Sequence, residues 1–485
     1  MKIVIRADAS VTIGSGHIMR TLELARRFRD IGMTVVYLCK RLEGNLAEMI
    51  RKQGFEVEVL ESDADESVLL KDAMGRLQPC LLIIDHYGID AKIEASVKKL
   101  YRVPMLCYDD TFSSHACDLV LNPNIYASAE AYREKVPASA VILAGSAYAT
   151  IREEFRRAKA VSKVTNALPR LLVTLGGSDP DNVTSRVLET IGTCHTAWEV
   201  TVVIGPANRY QETIVKQAKQ LPSCHVIVDP ADMAALMRAA DFAITAAGQT
   251  TIEALYMELP TINVMIAENQ RLISGYMDEK GLSVSLKAGF SPEALCSALD
   301  TLVSGRAVDH MKLAAAAGEI GTRSVVDAVR YRFFKITPAR EDDIVDLYEL
   351  ANDPVVRNNS FSTTPIAWDE HQAWFSAVMT EPLQQLYCIR DMAGIFMGQL
   401  RFDSRCSGKA VISISIIEAA RGYGIASQVI RRGVMQFFEG GAEEIVEALV
   451  KKNNAVSLKS FERAGFQRVQ EDADAIILQC MRSTL

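Results

Sequence analysis

The stretch RADASVTIGSGHIMR, residues 6–20, decides how the first part of this sequence folds. It follows the short apolar run MKIVI and precedes apolar residues at Ile18, Leu22 and Phe28, whose spacing is helical. The pattern therefore predicts a strand, a glycine-rich loop and a helix. Such a loop lies at the carboxyl edge of an open α/β sheet, where these sheets bind their ligands.

His17 stands directly after the Gly-Ser-Gly turn, at the start of the predicted helix. The partial positive charge of a helix amino terminus disfavours imidazolium, and a general base must be neutral. We therefore predict that His17 is a catalytic base, the alternative being a residue that caps or packs the helix. Asp8 is predicted to orient the ring or bind substrate, and Gly16 to lie against the substrate. Arg20 is predicted to form a surface salt bridge or to meet an anionic group.

Composition limits the classes of protein to which the chain can belong. The 485 residues are 49% hydrophobic and 23% charged, which predicts several globular domains. A net charge of −7 without a long basic run argues against nucleic acid as a partner. We expect no membrane association, because no apolar run reaches the roughly 18 residues of a span, and no signal peptide, because the N-terminus enters a predicted strand at once. We therefore expect a cytoplasmic protein. The Cys-His pairs at 194–195 and 224–225 lack ligand spacing, so no metal is predicted.

The alternation of apolar and helical segments predicts three domains. Residues 1–158 form one α/β unit, and the pattern restarts near Pro169 to give a second unit over residues 159–328. Two such units imply two doubly wound, Rossmann-like sheets facing each other across a cleft. Residues 332–485 contain meander-like strands, which predict an α+β domain. The predicted fold class is therefore α/β, with two Rossmann-like domains followed by a smaller mixed domain.

Two glycine-containing turns in the second unit indicate a phosphate ligand. LGGSDPDN, from Leu175, lies between a strand and a helix predicted to begin at Pro180, and TAAGQTTIEAL, from Thr245, repeats the arrangement. Backbone N–H groups at helix starts bind phosphates, although many such turns only close a βα connection. A carboxylate one turn into the second helix can accept hydrogen bonds from both ribose hydroxyls. The candidate binding residues are Gly176, Gly177, Ser178, Gly248, Gln249, Thr250 and Glu253.

These paired units resemble the nucleotide-sugar enzymes of glycosyltransferase-B type. The pattern RADASxxIGxGHxxR is narrower and resembles the UDP-sugar hydrolase family of pseudaminic acid biosynthesis, over roughly residues 1–320. The resemblance implies that water releases UDP from UDP-2,4-diacetamido-2,4,6-trideoxy-β-L-altrose, with His17 as the base and no metal. It also implies that Tyr87, in DHY, and Asn269, in ENQ, contact the sugar. Gly177, Ser178 and Glu253 match the UDP side.

The third segment carries the pattern (Q/R)-x-x-G-x-(G/A) at a helix start. The matching residues are Arg421, Gly422, Gly424 and Ala426. Together with Asn454 further on, they resemble the GNAT N-acetyltransferases, which implies acetyl-CoA as co-substrate, bound by these residues. Many members carry a tyrosine seven positions after that asparagine as the acid for the CoA thiolate, but Phe461 occupies the position here. Ser460 lies on another face of the helix, and Glu418 is a candidate base for the amine or a solvated residue.

The two resemblances together predict a bifunctional enzyme acting on small-molecule UDP-sugars. The acetyltransferase would acetylate the 4-amino group of a UDP-amino-sugar, and the hydrolase would release UDP from the product. Two alternatives remain. One is a glycosyltransferase with an accessory acetyltransferase, and the other is a UDP-sugar-binding module that regulates a protein or peptide acetyltransferase.

Overall fold

The structure is a computed structural model that describes residues 1–61, 65–161, 168–177, 179–194, 196–206, 208–305, 308–404, 408–440 and 443–484. The chain divides into two compact units, Met1–Val325 and Val326–Leu485. The first unit contains two parallel sheets and the second contains one mixed sheet, so the predicted fold class is confirmed. Within the described residues, no helix combines the length and apolar character needed to span a membrane.

Seven strands form the first sheet. They are β1 Lys2–Ala7, β2 Thr34–Lys40, β3 Glu56–Leu60, β4 Leu81–Asp85, β5 Met105–Tyr108, β6 Leu119–Asn122 and β7 Val141–Ala144. The helices are α1 Gly16–Asp30, α2 Ala47–Lys52, α3 Glu66–Leu77, α4 Ala91–Tyr101 and α5 Glu153–Lys159. All pairs are parallel, in the order β3-β2-β1-β4-β5-β6-β7. The order reverses between β1 and β4, whose carboxyl ends therefore form a topological switch point.

The first strand and helix form as their apolar pattern predicts. Ile3, Val4 and Ile5 are fully buried because β1 lies inside a sheet with helices packed against it. In α1, Ile18 and Phe28 are likewise buried on the face toward the sheet. This packing fixes both ends of the loop that joins β1 to α1.

Six strands form the second sheet. They are β8 Arg170–Thr174, β9 Glu199–Ile204, β10 Cys224–Val228, β11 Phe242–Ala246, β12 Thr261–Met265 and β13 Ser283–Lys287. The helices are α6 Val183–Ile191, α7 Gln211–Ala218, α8 Met233–Ala239, α9 Gln249–Tyr256, α10 Arg271–Glu279, α11 Pro292–Val303 and α12 His310–Glu319, and α13 Val325–Arg332 then begins the second unit. All pairs are parallel, in the order β10-β9-β8-β11-β12-β13. Both glycine-containing turns follow β8 and β11, at this sheet's own switch point.

A disulfide between Cys194 and Cys296 joins the chain just after α6 to α11. The two cysteines are separated by 102 residues. The pairing carries no local sequence signal and was not predicted.

The third sheet is mixed. Its strands are β14 Lys335–Pro338, β15 Gln384–Arg390, β16 Phe396–Asp403, β17 Lys409–Ile416, β18 Ile445–Lys451, β19 Gln467–Glu471 and β20 Ala475–Met481. Its helices are α14 Ile344–Ala351, α15 Pro354–Asn359, α16 Trp368–Thr380, α17 Ile425–Gly440 and α18 Ala455–Arg463. The order is β14-β15-β16-β17-β18-β20-β19. Only the β17–β18 pair is parallel, and its register covers residues 409–411 of β17.

Candidate active site

The loop between β1 and α1 is a closed turn that delivers His17 to the second position of the helix. Ser10 organises the turn, because its Oγ accepts hydrogen bonds from the backbone N–H groups of Thr12 and Ile13 at 3.2 and 2.9 Å. Its carbonyl oxygen accepts the Gly14 N–H at 2.8 Å. Gly14 has φ of +80°, a left-handed conformation that favours glycine. The glycine therefore serves the turn that positions His17.

The imidazole of His17 is buried against a carboxylate at the switch point. Helix α1 begins at Gly16, and the Nδ1 atom of His17 lies 2.5 Å from Oδ1 of Asp85, the last residue of β4. Arg20, one turn along α1, places Nε 2.6 Å from Oδ2 of the same carboxylate and Nη2 2.5 Å from Oδ1. Burial alone would raise the pKa of Asp85, but Arg20 and His17 hold it below its usual value. The buried carboxylate is therefore ionised.

Tyr87 follows β4 of the first sheet, and Asn269 follows β12 of the second. Within the first unit, their side chains meet beside His17. The Tyr87 ring stands edge-on to the imidazole, with the ring centroids 4.8 Å apart. Its hydroxyl lies 3.0 Å from both carboxylate oxygens of Asp110 and is hydrogen-bonded to the side chain of Asn269. Partial burial and the Asp110 charge raise the pKa of Tyr87 to about 12. Its hydroxyl is therefore protonated at neutral pH, and its exposed ring is open to a ligand.

Asp8 lies in a buried ion cluster. Contrary to the prediction, it does not orient His17. Both its oxygens accept hydrogen bonds from Arg6 at 2.7 Å, and Oδ1 also accepts the Lys40 backbone N–H at 2.7 Å. His86 Nε2 lies 3.2 Å from Oδ2. Burial favours the protonated acid, but His86 and Arg6 hold the pKa of Asp8 far below its usual value. The orienting carboxylate is Asp85 instead, and a substrate contact by Asp8 stays a prediction that this burial disfavours.

The first glycine turn of the second sheet leaves β8 and passes close to the end of β9. Gly176 has φ of +90°. A Cβ atom added to Gly205, just after β9, would lie 2.3 Å from the carbonyl oxygen of Gly177. The backbone of the turn is therefore held against its neighbour, as the glycines permit. Ser178 lies outside the described residues.

Helix α6 begins at Val183, three residues later than predicted. The Asp179 carboxylate accepts the N–H groups of Val183 and Thr184 at 2.9 and 2.8 Å. These bonds satisfy two donors that a helix start would otherwise offer to a ligand. The sequence reading placed the helix start at Pro180 because it did not recognise Asp179 as the residue that binds the first turn. Any phosphate contact at this turn would therefore be made by backbone N–H groups of the turn and not by the start of α6.

The second glycine turn presents an open helix start. Helix α9 begins at Gln249, its N-cap is Gly248, and no described side chain caps it. Gln249 and Thr250 therefore carry N–H groups suited to an anion. Glu253, one turn in, is buried and its Oε1 accepts a hydrogen bond from Arg152 Nε at 3.1 Å. Burial raises the pKa of Glu253, and Arg152 opposes that effect. A ribose contact by Glu253 stays a prediction.

The glycine-rich turn of the third sheet lies between β17 and α17. Gly422 and Gly424 have φ of +84° and +71°, and no described atom lies within 4 Å of a Cβ built on either. Helix α17 begins at the next residue, so Ala426 is in its first turn. Pairing between β17 and β18 ends at Val411, whereas β17 stays paired with β16 up to Ile416. The backbone around the turn is therefore open enough for a pyrophosphate to approach.

The Arg421 side chain contacts the protein itself. Its Nε donates to the Ile416 carbonyl at 3.0 Å, and its Nη2 lies 2.8 Å from Oδ1 of Asp353. The side chain thus ties the end of β17 to the start of α15. A contact between Arg421 and the cofactor stays a prediction.

The helix that follows β18 lacks a proton donor at the expected position. Asn454 caps α18, its Oδ1 accepting the Ser457 N–H at 3.1 Å. Phe461 is buried, and its ring centroid lies 5.1 Å from that of Phe466. The Ser460 hydroxyl donates to the Val456 carbonyl at 2.8 Å. Phe461 is therefore a core residue here.

Comparison with known proteins identifies the domain that contains the third sheet. Residues 334–467 match the family model described as acetyltransferase (GNAT) domain. This stretch is a GNAT domain. In the GNAT domain, Glu418 is exposed on a short turn after β17.

Three known proteins are similar to larger parts of the chain. UDP-2,4-diacetamido-2,4,6-trideoxy-beta-L-altropyranose hydrolase of Campylobacter jejuni is 29% identical over 59% of this chain and 100% of its own length. Spore coat polysaccharide biosynthesis protein SpsG of Bacillus subtilis is 25% identical over 60% of this chain and 84% of its own. Uncharacterized protein MJ1062 of Methanocaldococcus jannaschii is 24% identical over 97% of this chain and 98% of its own. The chain thus combines a hydrolase-like region with a GNAT domain.

The sequence analysis assigned no role to two carboxylates beside the imidazole, Asp85 and Asp110. Asp85 stands in the quoted DHY motif, but only Tyr87 of that motif was assigned a role, and Asp110 was treated as part of a polar loop. Arg20 was predicted to form a surface salt bridge or to meet an anionic group, and it binds both carboxylates. A signal was available, because Asp85 and Asp110 both follow the carboxyl ends of predicted parallel strands, which meet at one sheet edge.

Proposed function

We propose that the chain is a bifunctional nucleotide-sugar enzyme of pseudaminic acid biosynthesis. The first unit would hydrolyse UDP-2,4-diacetamido-2,4,6-trideoxy-β-L-altrose to the free sugar and UDP. The GNAT domain would use acetyl-CoA to acetylate the 4-amino group of the precursor UDP-amino-sugar. The observation that carries the hydrolase proposal is the His17 imidazole, held by Asp85 and set edge-on to Tyr87. It lies in a region similar to a whole hydrolase of that specificity.

The proposed hydrolysis is a water attack on the anomeric carbon. His17 removes a proton from the water as the new C–O bond forms, and the bond to UDP breaks. Tyr87 and Asn269 contact the sugar, which places the anomeric carbon beside the imidazole. The leaving diphosphate gains negative charge, and oriented backbone N–H groups are the protein's means of stabilising such charge.

The second sheet supplies the proposed UDP site. The start of α9, with Gln249 and Thr250, is the better placed of the two turns because no described side chain caps it. The Gly176-Gly177 turn contributes further backbone donors, and Glu253 receives the ribose hydroxyls through the oxygen that Arg152 leaves free. All three features lie at or near the switch point of one sheet, so they can serve one nucleotide.

The proposed acetyl transfer places the CoA pyrophosphate on the turn before α17. The amine attacks the thioester carbonyl, loses a proton and displaces the CoA thiolate. Glu418 is the candidate acceptor of the amine proton. Phe461 cannot donate a proton to the thiolate, so water is proposed as the acid. The amino-sugar acceptor follows from the neighbouring hydrolase-like region, whose substrate would be the acetylated product.

The first experiment measures UDP release from the UDP-diacetamido-altrose sugar without an acceptor. We expect the wild type to release UDP and His17→Ala to be slower by roughly 100-fold or more, because base catalysis contributes on the order of 10²–10⁴. His310→Ala, at the exposed start of α12, is the matched control and is expected to behave as wild type.

The outcomes of this experiment separate the alternatives. UDP release that requires an added acceptor would support a glycosyltransferase. UDP binding by a folded wild type with no release at all would support a binding module. Acetyl-CoA-dependent thiol release with the UDP-4-amino-sugar tests the GNAT half, and its absence would overturn that substrate assignment.

A further inference from the structure

The buried contacts of the imidazole identify its tautomer. The described hydrogen bonds of the His17 ring both involve Nδ1, which lies 2.5 Å from Asp85 Oδ1 and 3.2 Å from Arg20 Nη2. An ionised carboxylate only accepts hydrogen bonds, and a guanidinium only donates them. Nδ1 can therefore form a hydrogen bond with only one of these two neighbours. It donates to Asp85 if it carries a proton, and it accepts from Arg20 if it does not. The shorter contact is to Asp85, and an unprotonated Nδ1 at that distance would face the carboxylate lone pairs. Nδ1 therefore carries the proton.

We propose that Asp85 and Arg20 are positioning residues that hold His17 as the Nδ1–H tautomer, with Nε2 free to take the proton from the attacking water. The inference rests on the proposed hydrolase function for its kinetic consequence, but the tautomer itself follows from the contacts. Neither residue touches the sugar in the proposed mechanism. Asp85 acts through the ring of His17, and Arg20 acts through Asp85.

Arg20 gives the pair its rigidity and its charge balance. It binds Asp85 through two nitrogens, and its Nη1 donates to Asp110 Oδ2 at 3.0 Å. Its guanidinium carbon lies 5.1 Å from the Tyr108 ring centroid. A guanidinium bound to two carboxylates in fork geometry loses its rotational freedom. Because Asp110 in turn accepts the Tyr87 hydroxyl, Arg20 links the base to the residue proposed to contact the sugar.

The charged and titratable groups described in contact with this system come from three neighbouring elements and the loops that follow two of them. Arg20 and His17 come from α1, Asp85 ends β4, and Tyr87 follows it. Tyr108 ends β5, and Asp110 lies in the loop after it. Arg20 places one positive charge between the carboxylates of Asp85 and Asp110. It therefore offsets part of the negative charge that Asp85 presents to the ring.

The test combines kinetics with NMR on the full-length protein. Asp85→Asn keeps the side-chain shape, but its amide can donate to Nδ1 and so favour the other tautomer. We expect kcat for UDP release to fall roughly 100- to 10,000-fold, as when the orienting carboxylate of a catalytic histidine is made neutral. KM is expected to change less than about 3-fold, because the residue does not contact the substrate. Asp391→Asn, from a buried Asp–Arg pair in the other unit, is the control.

Nitrogen-15 correlation spectra of the seven histidines give the tautomer directly. The His17 signals are assigned by their loss in His17→Gln. We expect the wild type to carry the proton on Nδ1 and Asp85→Asn to shift it toward Nε2. A wild type with the proton on Nε2, or Asp85→Asn with wild-type kcat, would overturn the proposal. If the wild type releases no UDP, the hydrolase proposal fails alone, because the spectra still decide the tautomer.

Discussion

At the scale of single residues, the site depends on one arginine that binds two carboxylates. Asp85 is buried beside the ring of His17, where a bare negative charge would stabilise imidazolium. Arg20 offsets that charge through two short contacts. The arrangement therefore allows a carboxylate to orient the imidazole while part of its charge is offset.

Replacing Arg20 tests this balance through the pH dependence of the reaction. In Arg20→Gln the charge of Asp85 is uncompensated, so imidazolium becomes more favourable and the neutral base appears only at higher pH. We expect the acidic limb of the kcat/KM profile for UDP release to move up by about one pH unit. Arg26→Gln is the control, because Arg26 lies on the same helix and contacts Glu23. An acidic limb that stays in place while turnover persists would contradict the role of Arg20.

At the scale of elements, the local sequence pattern predicted those strands and helices whose positions depend on local interactions. The inner strands β1, β4 and β8 are buried on both faces, so each appears in the sequence as an apolar run followed by a polar loop. The start of α6 was misplaced because the Asp179 side chain, not the proline, decides where the helix begins. The contact between His17 and Asp85 joins residues 68 positions apart. Its geometry depends on strand order, which local pattern does not contain.

The loop from β5 to β6 illustrates how an element positions a site residue. It carries Asp110, and His115 anchors its far end, with Nδ1 2.7 Å from Oε1 of the buried Glu94. Nε2 of the same ring lies 3.9 Å from Asp109. Burial alone would lower the pKa of His115, but Asp109 and Glu94 outweigh it and raise the pKa to about 10. The loop is therefore held by a partly buried imidazolium.

This ion pair predicts a pH-dependent stability. The folded pKa of His115 exceeds its unfolded value of 6.5, so its stabilisation is complete below pH 6.5 and disappears as pH rises through 10. The loss is at most about 5 kcal/mol of unfolding free energy, at 1.36 kcal/mol for each pKa unit. Urea unfolding at pH 6.5 and pH 9.5 measures it.

The matched control for this prediction is His115→Gln, which keeps hydrogen-bonding capacity without the charge. We expect the variant to be less stable than the wild type at pH 6.5 and to lose less stability at pH 9.5. Trp368→Phe/Trp374→Phe removes two of the three tryptophans and leaves Trp198 to report on the first unit. Equal pH dependence in His115→Gln and its parent would rule out the ion pair as the source.

At the scale of the whole molecule, the first unit contains a covalent link that its cysteine spacing does not reveal. The disulfide ties α11 to the chain just after α6, which begins beyond the Gly176-Gly177 turn of the proposed UDP site. Both cysteines line a surface cavity of about 530 Å³, so a small reductant can reach them. A crosslink closing a loop of 102 residues restricts the unfolded chain strongly.

Breaking this link is expected to destabilise the first unit while leaving its active site assembled. Cys194→Ser/Cys296→Ser should lower the unfolding free energy by about 2–4 kcal/mol, because the unfolded chain regains its loop entropy.

Thermal unfolding and UDP release, each measured with and without dithiothreitol, check this. Dithiothreitol should lower the Tm of the wild type and leave the double variant unchanged. Thiol titration in denaturant tests the link directly: among the nine cysteines that the structure describes, seven should react before reduction and the two bonded ones only after it. Ten reactive thiols, together with a wild-type Tm insensitive to dithiothreitol, would contradict the link. UDP release by the reduced enzyme should persist below its lowered Tm, since His17 and Arg20 lie on α1 and Asp85 on β4, none of which is a segment that the disulfide joins.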